Sequence, residues 1–244
     1  MMKLSENISE WIKGQVRRAG KKGIVVGLSG GIDSSVTAVL SGMALGDNVI
    51  GLILPCNNHP DDEKLALKVA RKFNIRVKKV ELGDIYERLC GVYLSGSRIA
   101  KANLKPRLRM TMLYYLANTL DYLVAGTGNR SELMVGYFTK YGDGGCDILP
   151  LGGLLKTQVR KLARELGIPA EIIKRPPSAG LWEGQTDEDE IGICYDDLDK
   201  YLRIIEEGGR HKAKGALFEK TKSMVMNSRH KRDKIPVFTR DNFF

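Results

Sequence analysis

No apolar run in this 244-residue chain approaches the length needed to cross a bilayer. The opening residues, Met1 to Gln15, mix charged and apolar residues at helical spacing and read neither as a signal peptide nor as an anchor. Cysteine is scarce: Cys56, Cys90, Cys146 and Cys194 are scattered, with no Cys-x-x-Cys pair. This argues against a disulfide framework or a zinc site and for free thiols in a reducing cytoplasm. The Gly-Lys-Ser/Thr ending of a Walker A loop is missing, as is the Gly-x-Gly-x-x-Gly dinucleotide turn. Internal repeats and low-complexity segments are absent too. Aromatic residues are not interleaved with the basic ones, as a stacking platform for single strands requires.

What remains is ordinary for a globular protein, with 43% hydrophobic and 28% charged residues. The length suits one α/β domain with additions. The net charge of +10 is uneven. Arg210 to Lys234 holds nine Lys/Arg against Glu219 and Asp233, whereas Asp187 to Asp199 carries seven acids and no base. The basic surplus suggests anionic partners, either nucleotides or nucleic acid. Most residues of both runs are read as solvated helix faces.

The densest signal is Ser29-Gly30-Gly31-Ile32-Asp33-Ser34-Ser35. It follows the β-branched run Lys22 to Leu28, a buried strand, and precedes Val36 to Leu40, which opens a helix. A strand, a turn of glycines and hydroxyls, and a helix N-terminus together direct backbone N–H groups and a positive dipole end at a phosphate. Asp33 is the odd carboxylate in an anion site, and makes sense if it holds Mg²⁺ bridging phosphate oxygens. A Gly/Ser turn with Asp33 or Ser34 capping the next helix fits the same residues. The loop resembles that of the ATP pyrophosphatases, which implies cleavage between the α- and β-phosphates of ATP.

Repeated strand–helix units follow. Strands are predicted at 49–54, 75–80 and 121–126, with a fifth short one at 146–151. Helices are predicted at 61–73, across 84–119 with breaks near Gly96 and Pro106, and at 156–166. Beyond Pro169 the pattern turns helical and polar, with a loop at 174–186 and helices near 187–192, 195–206 and 213–226. The fold class is α/β: an open, mainly parallel twisted sheet with helices on both faces, plus a helical C-terminal extension. One domain spans 1–244, as an α/β nucleotide-binding core (1–168) and the extension (169–244). Ligands of such sheets bind beyond the carboxyl ends of the strands.

Further motifs are Gly126-Thr127-Gly128-Asn129-Arg130-Ser131-Glu132, Gly136 to Asp147, Lys156-Thr157-Gln158-Val159-Arg160 and Gly184 to Gly192. In this order, with the phosphate loop, they resemble ammonia-dependent NAD synthetases over nearly the whole chain. The resemblance implies a C–N bond-forming ligase. The carboxylate of nicotinic acid adenine dinucleotide (deamido-NAD) attacks the α-phosphorus of ATP and expels pyrophosphate. Ammonia then displaces AMP to give NAD. It further implies that Asp33 and Glu132 hold Mg²⁺. Gly27, Leu28, Ser29, Gly30, Gly31, Ile32, Asp33 and Ser34 would hold ATP with Thr127, Lys156 and Ser178, the last standing where the family usually has threonine. Arg107, Lys140, Asp147, His230 and Lys231 would contact deamido-NAD, and Asp147 would bind ammonium and help remove its proton. Asp33, Glu132, Lys156 and Asp147 are thus the catalytic candidates.

Each residue also has an ordinary explanation. Glu132 is an acid in a first helical turn, Asp147 lies in a Gly-rich turn, and His230 sits in a basic tail. The chain has no room for a glutaminase domain, so free ammonia is the expected direct substrate. Family members are homodimers, and the implied interface is the 96–119 helix, with Leu113, Leu116 and Leu120 as its apolar surface. No membrane and no nucleic-acid partner is expected. Two other readings stand: an ATP pyrophosphatase acting on another carboxylate or on tRNA, or a basic nucleic-acid-binding protein.

Overall fold

The computed structural model describes residues 2–57, 60–93, 95–182, 184–208 and 214–238. In chain order the elements are α1 (Leu4–Arg18), β1 (Gly23–Gly27), α2 (Ile32–Leu45), β2 (Val49–Ile53), α3 (Pro60–Lys72), β3 (Arg76–Lys79), α4 (Gly83–Val92), α5 (Arg98–Ala102) and α6 (Leu104–Leu120). There follow β4 (Tyr122–Ala125), α7 (Arg130–Val135), α8 (Lys156–Glu165), α9 (Ala170–Lys174), α10 (Asp187–Ile191), α11 (Tyr195–Glu206), α12 (Ala216–Asn227) and α13 (Arg229–Arg232).

The four strands pair in parallel in the order β3-β2-β1-β4. Ile24, Val25 and Val26 of β1 are wholly buried, as a strand covered on both faces requires. Their alternation divides the core. Ile24 and Val26 face a cluster with Ile12 and Val16 of α1, Val36 and Leu40 of α2, and Val159 and Leu162 of α8. Val25 faces Met110, Leu113 and Ala117 of α6. At the edge, β3 presents Arg76, Lys78 and Lys79, whose charges discourage further strand pairing. A third cluster joins the C-terminal helices to the sheet domain, with Tyr195, Leu198 and Leu202 of α11 packed on Val135 of α7 and on Leu155.

The structure corrects several expectations. Helix α2 starts at Ile32, four residues ahead of the predicted helix, so Asp33 lies in its first turn. The break expected near Pro106 falls at Asn103, between α5 and α6, and Pro106 is the third residue of α6, where the missing N–H would have had no intrahelical partner. The predicted strand at 146–151 is reduced to one bridge, Ala125 to Ile148. There the Val124 N–H goes to the Asp147 side chain at 2.7 Å instead of to a strand backbone. Leu113 is buried under the sheet and Leu116 packs against the same cluster, so neither forms a free face. The short helices α9 and α13 were not anticipated, and the predicted start of α12, at Ala213, lies outside the described residues.

Candidate active site

Strand β1 is flanked by β2 on one side and β4 on the other, so the chain leaves β1 and β4 at a topological switch point. The loops after these two strands therefore open on one crevice. In the first, Gly30 has φ +80°, and a Cβ there would stand 2.3 Å from the backbone oxygen of Asp62. Glycine is thus required by both conformation and space. Ser34 Oγ accepts from the Ser29 N–H at 3.2 Å and donates to the Gly31 carbonyl at 3.1 Å, while the Ser35 hydroxyl donates to the same carbonyl at 2.7 Å. The hydroxyls thus shape the turn. The N-cap of α2 is Gly31, which has no side chain to cover the first-turn N–H groups. Those donors and the helix dipole are left for an anion.

The second loop supplies Asn129 and Glu132. Asn129 caps α7 by accepting from the Glu132 N–H at 3.1 Å, and Glu132 Oε2 accepts from the Asn129 N–H at 3.2 Å. The Asn129 amide also donates to Asp33 Oδ1 at 3.0 Å, which joins the two loops. Between the carboxylates stands Lys156, the first residue of α8 and only 1% exposed. Its Nζ donates to Asp33 Oδ2 at 2.6 Å and to Glu132 Oε1 at 3.0 Å. The two acids therefore lie no more than two hydrogen-bond lengths apart. Residues 33, 132 and 156, chosen from separate motifs, meet in one place.

Electrostatics follow from this enclosure. Burial opposes charge on Lys156, yet Asp33, Glu132 and Asp187 outweigh it and hold the ammonium above the ordinary lysine range. Burial, helped by the charges of Asp33 and Asp187, pushes Glu132 up to about 7 against the pull of Lys156. Burial likewise raises Asp187. The carboxylates offer hard oxygen donors of the kind Mg²⁺ takes alongside phosphate oxygens and water. Among the described residues no cluster of three or more His, Cys, Asp or Glu side chains has the arrangement of a self-sufficient metal site. Nucleotide oxygens would have to complete the shell.

Of the residues assigned to the dinucleotide, Arg107, Lys140 and His230 are joined by hydrogen bonds, whereas Asp147 is held elsewhere by Tyr114 and Val124. The Arg107 guanidinium donates to the Lys140 carbonyl at 3.4 and 3.3 Å, and Lys140 Nζ donates to the His230 carbonyl at 3.0 Å. Lys231 Nζ is spent on the carbonyls of Gly136 and Phe138, at 2.6 and 2.8 Å, and so closes the C-terminus of α7. Asp147 accepts from Val124 N–H and from Tyr114 O–H, the latter at 2.9 Å. Ser178 lies exposed in the loop before α10 and accepts from Gly180 N–H at 3.1 Å, and Thr127 stands half-buried after β4. Among the described residues no hydrogen bond joins Thr127 or Ser178 to the lysine cluster.

Five contributors escaped the sequence reading: Asn129, Ser131, Asp187, Tyr195 and Asp199. The spacing of Asn129 and Glu132 is that of a capping box and was a usable signal. Asp187 and Asp199 belong to the acidic run read as a solvated face, yet they are 4% and 2% exposed. Asp199 accepts from Ser131 O–H and, at 2.8 Å, from Thr157 N–H, and the Ser131 hydroxyl oxygen accepts from Lys156 N–H at 2.9 Å.

The chain is similar to known proteins along nearly its whole length. A family model described as NAD synthase matches residues 4–235. The ammonia-dependent NAD synthetase of Archaeoglobus fulgidus is 49% identical over 96% of both chains. Among solved structures, the NMN synthetase of Francisella tularensis is similar at TM-score 0.88 and 37% identity, covering 97% of each chain. The ammonia-dependent NAD synthetase of Campylobacter jejuni matches at TM-score 0.84 and 27% identity, covering 97% of this chain and 98% of that one. With the match reaching from α1 to the end of α13, this chain belongs to the NAD synthase family.

Proposed function

We propose that the chain amidates deamido-NAD with ammonia, using ATP. The observation that carries this reading is Lys156 between Asp33 and Glu132 at the mouth of the phosphate loop. The amides of the loop and of the first turn of α2 receive the triphosphate. The nicotinate carboxylate oxygen attacks the α-phosphorus, the bond to the β-phosphate breaks, and pyrophosphate leaves. Lys156 faces the charge that gathers on the leaving group, which is where a fixed cation accelerates such a step. Asp33 and Glu132 would hold Mg²⁺, which when bound neutralises phosphate charge. Ammonia then attacks the acyl carbon and AMP departs. Asp147 keeps free lone pairs on both oxygens for an ammonium, beyond those used by Val124 and Tyr114. Arg107 and Lys140, already joined, present the cations suited to the dinucleotide's pyrophosphate, with His230 and Lys231 holding that segment in place. Thr127 and Ser178 line the ATP side.

The test is direct. Protein given ATP, Mg²⁺, ammonium and deamido-NAD should form NAD, AMP and pyrophosphate in equal amounts, with glutamine a poor substitute for ammonium. The similarity to an NMN synthetase favours a second arm, in which nicotinic acid mononucleotide replaces the dinucleotide. Faster turnover of the mononucleotide would reassign the substrate while keeping the chemistry. Pyrophosphate release with neither acid would reject both.

We also read the active form as a homodimer in the cytoplasm. No helix among the described residues is long and apolar enough to cross a membrane. Helix α4 has no buried residue, and Ile85, Leu89 and Val92, spaced i, i+4, i+7, form an exposed apolar stripe that exposed Tyr93 continues. A second copy of the chain covers this stripe. Leu89→Lys with Val92→Glu should shift sedimentation from dimer to monomer and leave the thermal midpoint within a few degrees, since both side chains are already exposed.

A further inference from the structure

Asp187 opens α10 yet does not cap it, because the Thr186 side chain already accepts from the Asp189 N–H. It is 4% exposed, and its Oδ1 has no hydrogen-bond partner among the described residues. Burying a carboxylate with one oxygen lacking a hydrogen bond is costly. Its Oδ2 accepts from the hydroxyl of Tyr195 at 3.0 Å. That hydroxyl also lies 3.4 Å from Glu132 Oε1, and the Tyr195 ring, 0% exposed, sits 4.9 Å from Lys156 Nζ. A phenol has one proton, so Tyr195 serves Asp187 or Glu132 at any moment and not both. Asp33, Glu132 and Asp187 all act on the single ammonium of Lys156, and the Tyr137 hydroxyl also lies against Asp187. Formally the enclosure is short of two positive charges.

We propose that Asp187 and Tyr195 are a positioning pair for Glu132: Asp187 holds the Tyr195 hydroxyl, at 3.0 Å against 3.4 Å to Glu132, and so leaves Glu132 for a divalent cation carried in with the nucleotide. Without Asp187 the hydroxyl passes to Glu132 and competes with the cation. Without the hydroxyl, nothing competes for Glu132, and Asp187 keeps only the neighbouring Tyr137 hydroxyl. The pair acts on the cation through Glu132 and touches neither nucleotide nor nicotinate. The inference rests on the reading of Asp33 and Glu132 as cation ligands, but not on the identity of the acid that is amidated.

The experiment compares Asp187→Asn, Tyr195→Phe and the double variant with the unaltered protein. The readouts are ATP binding by calorimetry across a Mg²⁺ series, with no nicotinate substrate present, and the thermal midpoint. Asp187→Asn should raise the Mg²⁺ needed for half-maximal ATP binding by about tenfold or more, the usual scale for groups that orient a metal ligand, whereas Tyr195→Phe has no hydroxyl to compete and should stay within about threefold. The double variant should match Tyr195→Phe, because Asp187 works through the Tyr195 hydroxyl. Tyr195→Phe should lower the thermal midpoint, and adding Asp187→Asn should restore part of it by removing the stranded charge. A merely structural pair would move the midpoint and leave the Mg²⁺ series alone. The proposal is overturned by a Mg²⁺ requirement within about twofold of the unaltered protein in Asp187→Asn, or by losses that multiply in the double variant. An unaltered protein whose ATP binding ignores Mg²⁺ overturns it as well. Mg²⁺-dependent ATP binding without any amide product would instead reject the assigned substrate and leave this test readable.

Discussion

Lys156→Met is expected to reduce pyrophosphate release by about 10²- to 10³-fold, the scale found when one fixed donor to developing charge is removed. Methionine keeps the stem's length and volume, so the loss belongs to the ammonium. The same change should reshape stability against pH. Glu132 titrates at about 7 in the folded chain, against 4.5 for an ordinary glutamate. Its folded pKa is raised, so the folded state holds a proton that the unfolded state has released. Stability is therefore fullest below about pH 4.5 and declines as pH rises through about 7. Removing the ammonium strips away the pull that lowers Glu132, so the variant's decline should extend to higher pH. Breaking a buried ion pair costs about 3–5 kcal/mol, and proton uptake by Glu132 offsets part of it in acid. Thermal denaturation from roughly pH 5 to pH 8, beside a pyrophosphate-release assay, measures both effects. A variant that keeps turnover within about tenfold removes Lys156 from the chemistry.

Gly30→Ala should weaken ATP binding by roughly 10²-fold, because its added Cβ cannot be accommodated without moving the loop. The new carbon would stand 2.3 Å from the Asp62 carbonyl oxygen, part of the first turn of α3, and the Asp62 carboxylate is itself held by Arg175 at 2.6 Å. That oxygen cannot swing aside as a flexible side chain would. Alanine at φ +80° adds about 1–2 kcal/mol of backbone strain. The turn must lift, carrying Ser29 and Gly31 away from Ser34. Gly31→Ala is the matched control: its Cβ would meet only Ser29 Oγ, at 3.4 Å, and its φ of −83° suits any residue. It should bind ATP within about threefold of the unaltered protein, as a change with no clash or strain does. Equal losses in the two variants would deny the loop its specific geometry.

Local signals carried most of the architecture. The run Ile24-Val25-Val26 between a basic pair and a glycine turn reads as a buried strand because β-branched chains covered on both faces leave no polar alternation. Helix α11 was bounded at the residues observed, Tyr195 to Glu206, because its apolar stripe is clean. Interactions across long separations were not legible. Lys156 meets Asp33 over 123 positions of sequence, and only the motif resemblance joined them. Asp187 and Asp199 were hidden by their neighbours: five other acids in the run make a solvated face the natural reading, and nothing local marks which two turn inward. Leu113 misled for the converse reason. A leucine on a long helix fits an interface and a core equally well until the sheet is placed over it.

Asp199 gives the C-terminal helices a further meaning. One carboxylate on α11 grips the Ser131 hydroxyl on α7 and the Thr157 amide on α8, and those two helices carry Glu132 and Lys156. Cutting the chain after residue 168 would spare every strand and still release the two helices that carry Glu132 and Lys156. The change in sequence texture at Pro169 is therefore no seam along which the enzyme could be split. Sheet and trailing helices should melt together, and a fragment lacking the latter would be a scaffold with its chemistry undone.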